Sequence, residues 1–202
     1  IIGYDTRKSY KKILKIISKN INEVNNFYVL DKPISTPCLG YLSHKFKDSF
    51  LIMITASHFN RKFNGFKFFY KGKKLEKADE NKILKIEIKK TNKTKKNLII
   101  YSKKYQLYEN FINSKFDRIS TKNKILVDFA NGSAASSINN INFFENLDKK
   151  NFNYNFNNIN LSCGSNFLKQ TSKKKINKKY EYILAFDGDA DRIAIFKKNY
   201  GI

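Results

Sequence analysis

The chain has 202 residues, 41% of them apolar, and a formal net charge of +23, so it can hold one large or two small domains. No stretch approaches the ~20 apolar residues of a membrane span, and the first residues lack the pattern of a secretory signal. Cys38 and Cys163 are too few and too far apart for a disulfide framework or a zinc site, so we expect a reducing, cytoplasmic location.

The positive charge would ordinarily indicate a polyanion partner. It is spread along the chain, however, and it accompanies many Asn, Ile, Phe and Tyr residues, which share A/T-rich codons with Lys. A biased genome explains this composition without a binding function. We therefore expect no specific nucleic-acid partner and no membrane partner, although the field would steer anionic substrates toward the protein.

Strand and helix patterns alternate along the chain. In the first half, the predicted elements are a strand at 1–4, a helix around 13–17, strands at 50–55 and 66–70, a strand or helix start at 98–101, and a helix at 103–116. In the second half, they are a polar linker at 117–124, a strand at 125–128, a helix near 136–147, a strand within 149–158, a solvated basic stretch at 169–180, and strands at 182–186 and 193–196. This alternation predicts an α/β fold in two similar units.

Three carboxylates alternate with small residues in the segment Asp187 to Arg192, directly after an apolar run. Such carboxylates repel one another unless a cation or a proton neutralises them, and Gly188 lets the backbone turn tightly enough for them to converge. All-oxygen coordination favours Mg²⁺ over Zn²⁺. A polar turn between two strands is the alternative interpretation.

A second polar motif, Thr55-Ala56-Ser57-His58, follows the apolar run at 50–55. A Ser at the tip of a strand can act as a nucleophile or a phosphate carrier, although most such residues are turns or helix caps. Ligands of α/β sheets bind beyond the carboxyl ends of strands. We therefore expect Asp5, Ser57 and Asp187 to reach a common cleft.

Together these motifs resemble the α-D-phosphohexomutases in order and approximate spacing. The matching segments are Asp5-Thr6-Arg7, Thr55-Ala56-Ser57-His58, Asn64-Gly65-Phe66-Lys67, Val127-Asp128-Phe129-Ala130-Asn131-Gly132 and Asp187-Gly188-Asp189-Ala190-Asp191-Arg192. The segment from Asn158 to Ser165 is similar to that of the phosphoglucosamine mutase branch.

The resemblance implies interconversion of glucosamine 6-phosphate and glucosamine 1-phosphate by a cytoplasmic enzyme, with glucosamine 1,6-bisphosphate as the priming intermediate. It implies that phosphorylated Ser57 transfers its phosphoryl group to the sugar and that Mg²⁺ is bound by Ser57 and three Asp residues. It also implies phosphate contacts from two Arg residues and proton transfer by His58 and Lys67. The implied metal ligands and phosphate-binding residues, besides Ser57, are Asp187, Asp189, Asp191, Arg7 and Arg192.

The resemblance implies two consecutive three-layer α/β/α domains with mixed sheets, out of four in the family architecture. We expect residues 1–118 to form an N-terminally truncated first domain and residues 119–202 an incomplete second domain, so the isolated chain should have little activity. One departure is Phe59-Asn60, where the family usually has Asn-Pro. Losing that proline could loosen the Ser57 loop.

Three alternatives remain open. The first is a phosphomannomutase or phosphoglucomutase, which would differ in sugar specificity. Only the segment Asn158 to Ser165 argues against this alternative. A basic polyanion-binding module on this fold would show steeply salt-dependent binding. An inactive remnant would explain Phe59-Asn60, although Ser57 and the three Asp residues are retained.

Overall fold

The computed structural model describes residues 1–21, 26–87, 99–116, 121–137, 140–141, 147–173 and 179–201. Its strands are β1 (Ile2–Tyr4), β2 (Phe27–Leu30), β3 (Phe50–Ile54), β4 (Phe66–Tyr70), β5 (Lys73–Lys74), β6 (Ile99–Ser102), β7 (Ile125–Asp128), β8 (Asp148–Lys150), β9 (Tyr182–Phe186) and β10 (Ile193–Lys197). Its α-helices are α1 (Tyr10–Asn20), α2 (Thr36–Lys45), α3 (Lys77–Leu84), α4 (Gln106–Lys115), α5 (Ala134–Ser137) and α6 (Leu168–Lys173).

The strands form two mixed sheets, which confirms the predicted α/β class. The first has the order β5-β4-β3-β1-β2-β6, and the second has the order β10-β9-β7-β8. In the first sheet β1 is parallel to β2 and β3, and in the second β7 is parallel to β8 and β9. Their carboxyl ends therefore share an edge within each sheet, where ligands of α/β proteins bind.

Helices cover both faces of the first sheet because its central strands are apolar on both faces. On one face, Leu14 of α1 packs with Ile2 and Val29. On the other, Leu39 and Leu42 of α2 belong to the same buried cluster as Leu51. The first unit therefore has three layers, as predicted.

Two apolar clusters line opposite sides of the second sheet. One joins Leu168 of α6 to Ile183, and the other joins Ala135 of α5 to Val127. Cys38 and Cys163 are free and buried. Within the described part of the chain, no helix is long and apolar enough to span a membrane.

The sequence-based boundaries differ from the structure in the second unit. The predicted helix near 136–147 begins earlier, at Ala134, and much of that range lies outside the described residues, as does 117–120 of the proposed linker. The strand predicted within 149–158 is limited to β8, and the stretch predicted to be solvated at 169–180 begins within α6. The elements β2, α2, β5 and α3 were not predicted.

Polar contacts join the two units near the strand ends. The Thr6 hydroxyl donates to the Asn131 carbonyl over 2.7 Å. Lys32 donates to the buried Glu109 carboxylate at 2.7 Å and to the Ser136 carbonyl at 3.1 Å. The bonds from Thr6 to Asn131 and from Lys32 to Ser136 cross between the two units and favour one arrangement of them. That arrangement brings the Ser57 loop to the Asp187 loop.

Candidate active site

Ser57 lies just beyond the carboxyl end of β3, on the loop that leads to β4. Its backbone is in the left-handed region, with φ of 50°, which is unfavourable for a residue with a side chain. The Thr55 hydroxyl accepts from the Ser57 amide at 2.8 Å and donates to the buried Asp5 carboxylate at 2.8 Å. These bonds to Thr55 and Asp5 of the first unit fix the turn, and the Ser57 hydroxyl points toward the second unit.

The Asp187 loop connects β9 to β10. Its turn is closed by the Ala190 amide, which donates to the Asp187 carbonyl at 3.1 Å, and Ala190 itself has φ of 56°. The carboxylates of Asp187, Asp189 and Asp191 each offer an oxygen, and these oxygens lie within 4.8 Å of one another. The predicted convergence of the three side chains is therefore present.

The two loops meet at the Ser57 hydroxyl, which donates to Asp187 Oδ2 at 2.7 Å. Arg192 also contacts this carboxylate, with Nη2 at 2.8 Å, and the same nitrogen reaches the Ser57 hydroxyl and His58 Nδ1. The Arg192 guanidinium therefore lies between the Asp187 carboxylate, the Ser57 hydroxyl and the His58 ring. Four of the predicted site residues are thus in direct contact.

The Asp189 side chain is buried, and its two oxygens have different surroundings. Oδ2 accepts from the Thr36 hydroxyl at 2.6 Å and from Lys67 Nζ at 2.5 Å, whereas Oδ1 is buried without a hydrogen-bond partner. Burial opposes ionisation, but Lys67 and the hydrogen bonds outweigh it and lower the carboxyl pKa. An ionised, buried, unpartnered oxygen beside two more carboxylates is the donor set that a hard divalent ion requires. The residues present therefore fit a bound Mg²⁺.

Lys67 joins the first unit to two of the three carboxylates. Its Nζ donates to Asp189 Oδ2 and, at 2.6 Å, to Asp191 Oδ2. Burial alone would lower the Lys67 pKa, but these two carboxylates raise it. The side chain is therefore an ammonium ion, able to give a proton but not to accept one.

Arg7 lies beneath the Ser57 loop with no exposed surface. Its Nε donates to Asp5, its Nη1 to the carbonyls of Asn60 and Phe63, and its Nη2 to the carbonyls of Ser57 and Phe59. These bonds engage all the N–H donors of a guanidinium. The predicted role at phosphate oxygens would require them to break, so the arrangement favours a positioning role for Arg7 instead.

The Asp5 carboxyl supports Arg7 through an ion pair of 2.9 Å between Oδ2 and Nε. Complete burial raises the Asp5 pKa to about 6, although Arg7 and the Thr55 hydroxyl oppose the shift. The pair costs desolvation energy, so it serves to hold Arg7 in place more than to stabilise the fold.

Phe59 and Asn60 replace the family's usual Asn-Pro without reproducing either side chain. Phe59 is half exposed and stacks on His58, with ring centroids 4.5 Å apart. Asn60 accepts from the Lys62 amide at 3.0 Å through its side-chain Oδ1. The loop is instead held by backbone carbonyl contacts.

Sequence reasoning missed the roles of Thr36 and Asn160 in this site, and it missed the contact that Gly188 makes with the Ser57 loop. Thr36 begins α2 and bonds Asp189 through both its hydroxyl and its amide. Asn160 donates to the carbonyls of Ser57 and Phe59. At Gly188, an added Cβ would lie 2.8 Å from the Ser57 carbonyl oxygen, so only glycine permits this approach of the loops. The N-cap pattern Ser35-Thr36-Pro37 was a usable local signal for α2, but no local signal indicates its contact with Asp189.

Known proteins resemble this chain in both sequence and fold. Residues 1–94 match the family model described as phosphoglucomutase/phosphomannomutase, alpha/beta/alpha domain I. The chain is 33% identical over 202 residues to a phosphoglucosamine mutase from Prochlorococcus marinus (strain MIT 9215), covering 96% of this chain and 45% of that protein. It is also 33% identical to a phosphoglucosamine mutase from Caldicellulosiruptor saccharolyticus, covering 95% of the chain and 45% of the relative. The chain thus spans a little under half the length of these relatives.

Two solved structures share the fold at low sequence identity. A phosphoglucomutase/phosphomannomutase family protein from Burkholderia thailandensis aligns with a TM-score of 0.71 and 18% identity, covering all of this chain and 46% of that one. The open form of parafusin, a phosphoglucomutase from Paramecium, aligns with a TM-score of 0.70 and 18% identity, covering 100% of this chain and 46% of that one. Motifs, fold and relatives agree, and the chain belongs to the phosphohexomutase family of isomerases.

Proposed function

We propose that the protein interconverts glucosamine 6-phosphate and glucosamine 1-phosphate, with a phosphorylated Ser57 and glucosamine 1,6-bisphosphate as the intermediate that primes it. The observation that carries the proposal is the Ser57 hydroxyl, 2.7 Å from Asp187 within a trio of converging carboxylates. The choice of sugar is supported by the relatives named phosphoglucosamine mutase and by the segment Asn158 to Ser165. The activity is assigned to the longest natural form of the protein, in the predicted cytoplasmic location.

Mg²⁺ would be held by Asp187, Asp189 and Asp191 together with an oxygen on Ser57. When bound, the ion would neutralise negative charge that develops on the transferring phosphoryl group. Support comes from the unpartnered Asp189 Oδ1 and from the short separations among the three carboxylates. Carboxylate oxygens at this density suit a hard cation better than a soft one.

Arg192 is the phosphate-binding residue we propose at this centre. Its Nη2 already contacts the Ser57 hydroxyl, and half of the side chain is exposed to solvent. A guanidinium fork matches the oxygens of a phosphoryl group, and it can turn to them without leaving Asp187. Such a turn would release His58 Nδ1.

Proton transfer is divided between His58 and Lys67 in this scheme. As the bond between Ser57 Oγ and phosphorus breaks, a bond forms from phosphorus to a sugar hydroxyl oxygen. The sugar hydroxyl proton passes to His58, and the Lys67 ammonium gives a proton to Ser57 Oγ. The reverse transfer from the second phosphate, after the bisphosphate reorients, returns both protons and the phosphoryl group.

The sugar specificity can be tested with three hexose 6-phosphates. For the longest natural form with Mg²⁺, we expect kcat/KM for glucosamine 6-phosphate to exceed the values for glucose and mannose 6-phosphates by about 100-fold, because polar contacts to an amino group discriminate strongly. Equal or greater turnover of mannose or glucose 6-phosphate would assign the protein to the phosphomannomutase/phosphoglucomutase alternative. No turnover of any of the three would indicate an inactive remnant.

A further inference from the structure

The Ser57 loop is held from two sides by side chains that contact the same two carbonyl oxygens. The Ser57 carbonyl accepts from Arg7 Nη2 at 2.9 Å and from Asn160 Nδ2 at 2.8 Å. The Phe59 carbonyl accepts from the same two nitrogens, at 2.8 Å and 2.9 Å. Both amide hydrogens of Asn160 are therefore used on this loop.

The two side chains come from different units. Arg7 follows β1 in the first unit, whereas Asn160 lies in the second unit, on the segment that resembles the phosphoglucosamine mutase branch. The Asn160 side chain is buried, and its backbone is held in place because the backbone N–H donates to the Ala130 carbonyl at 2.9 Å. It is thus a fixed donor rather than a surface side chain that happens to reach the loop.

Ser57 needs such support because its φ of 50° is unfavourable and its loop lacks the family's proline. Each bond to the Ser57 carbonyl fixes the orientation of the peptide that follows Ser57, and hence the direction of its side chain. Gly188 leaves space for this contact, because a Cβ there would lie 2.8 Å from both the Ser57 oxygen and Asn160 Nδ2.

We infer that Asn160 is a positioning residue for the Ser57 phosphoryl group, acting with Arg7 as a clamp across the two units. The clamp replaces the rigidity that the loop loses without its proline. This inference rests on the proposed function for its effect on turnover, but the clamp itself is a property of the loop. Phosphoryl transfer depends on in-line placement of the reacting atoms, so loosening the clamp should lower kcat more than it raises KM.

The test compares Asn160→Ala and Asn160→Gly with Asn166→Ala in the longest natural form. Glycine lacks the N–H donors and adopts the Asn160 φ of 53° without strain, so it serves if the alanine variant does not fold. Asn166 is a matched control because it also donates from the second unit to this loop, but to the His58 carbonyl at 3.3 Å and from an exposed position. The first readout is amide hydrogen exchange at Phe59, whose amide donates to the Ala56 carbonyl.

In the absence of substrate, we expect the Phe59 amide to exchange about tenfold faster in the Asn160 variants, because they lose one or two of the hydrogen bonds that hold the loop. In the Asn166→Ala control, we expect its exchange rate to be unchanged. In turnover, kcat should fall about 100-fold with KM changed less than about threefold. Unchanged exchange in both Asn160 variants, or loss confined to KM, would overturn the inference. Faster exchange in a protein that never carries phosphate on Ser57 would leave the clamp standing and overturn the proposed function instead.

Discussion

Replacing Ser57 with alanine is expected to abolish phosphoryl transfer, with kcat lowered by at least about 10⁴-fold. The hydroxyl is the only atom of this side chain that can carry the phosphoryl group, and it is the atom that Asp187 and Arg192 contact. Removing it leaves the carboxylates and the substrate contacts in place, so binding of hexosamine phosphate should change little. Steady-state turnover of glucosamine 6-phosphate and binding calorimetry measure the two effects separately.

The matched control for this variant is Ser9→Ala. The Ser9 hydroxyl also lies beside the loop, where it donates to Asn64 Oδ1 at 2.5 Å, but it contacts none of the carboxylates. We expect this variant to retain turnover within about threefold, since exposed hydrogen bonds contribute little. Turnover by Ser57→Ala at the level of the control would mean that another group receives the phosphoryl group, and the mechanism would have to be abandoned.

Asp189→Asn is expected to weaken Mg²⁺ or Mn²⁺ binding by about 100-fold or more and to lower kcat to a similar degree. The substitution keeps the shape of the side chain but removes its negative charge. The new side-chain NH2 group would take the place of one of the two carboxylate oxygens. It would replace either Oδ2, which accepts from Thr36 and Lys67, or Oδ1, which has no hydrogen-bond partner. Mn²⁺ titration followed by electron paramagnetic resonance measures the affinity without reference to activity.

Asp148→Asn is the control for this second variant. Asp148 lies in the same unit and pairs with Lys179 at 2.8 Å, but it is exposed and does not belong to the cluster of Asp187, Asp189 and Asp191. Its loss should leave Mn²⁺ affinity unchanged, because exposed ion pairs contribute little. Equal Mn²⁺ affinity for Asp189→Asn and the unaltered protein would exclude the cluster as the metal site.

The parts of the fold that could be predicted from sequence were those with strong local patterns. The apolar run at 50–55 became β3, most of which is buried, and the segment Phe66 to Tyr70, which follows the Asn64-Gly65 turn signal, became β4. The short β2 follows an Asn-rich stretch with little periodicity. For α2 the start signal existed at Ser35, but its apolar positions are interrupted by Gly40 and Ser43.

In the candidate site, too, only the features that follow from local sequence patterns could be predicted. The grouping of Ser57 with Asp187 followed from their positions after apolar strands, because strand ends determine where a cleft forms. The surroundings of Arg7 could not be predicted, since the same side chain could face a phosphate or the backbone carbonyls of Ser57 and Phe59. Thr36 and Asn160 reach the site only through contacts between distant parts of the chain, which no local pattern encodes.

The most direct test of the account is peptide-level mass spectrometry of the longest natural form, purified from its own cells with phosphatase inhibitors. We expect a phosphate on Ser57 that is lost from the peptide when the protein is incubated with excess hexosamine 6-phosphate and that is recovered as the sugar bisphosphate. A Ser57 peptide that is unmodified in cells, and that stays unmodified when the protein is incubated with glucosamine 1,6-bisphosphate and Mg²⁺, would contradict it.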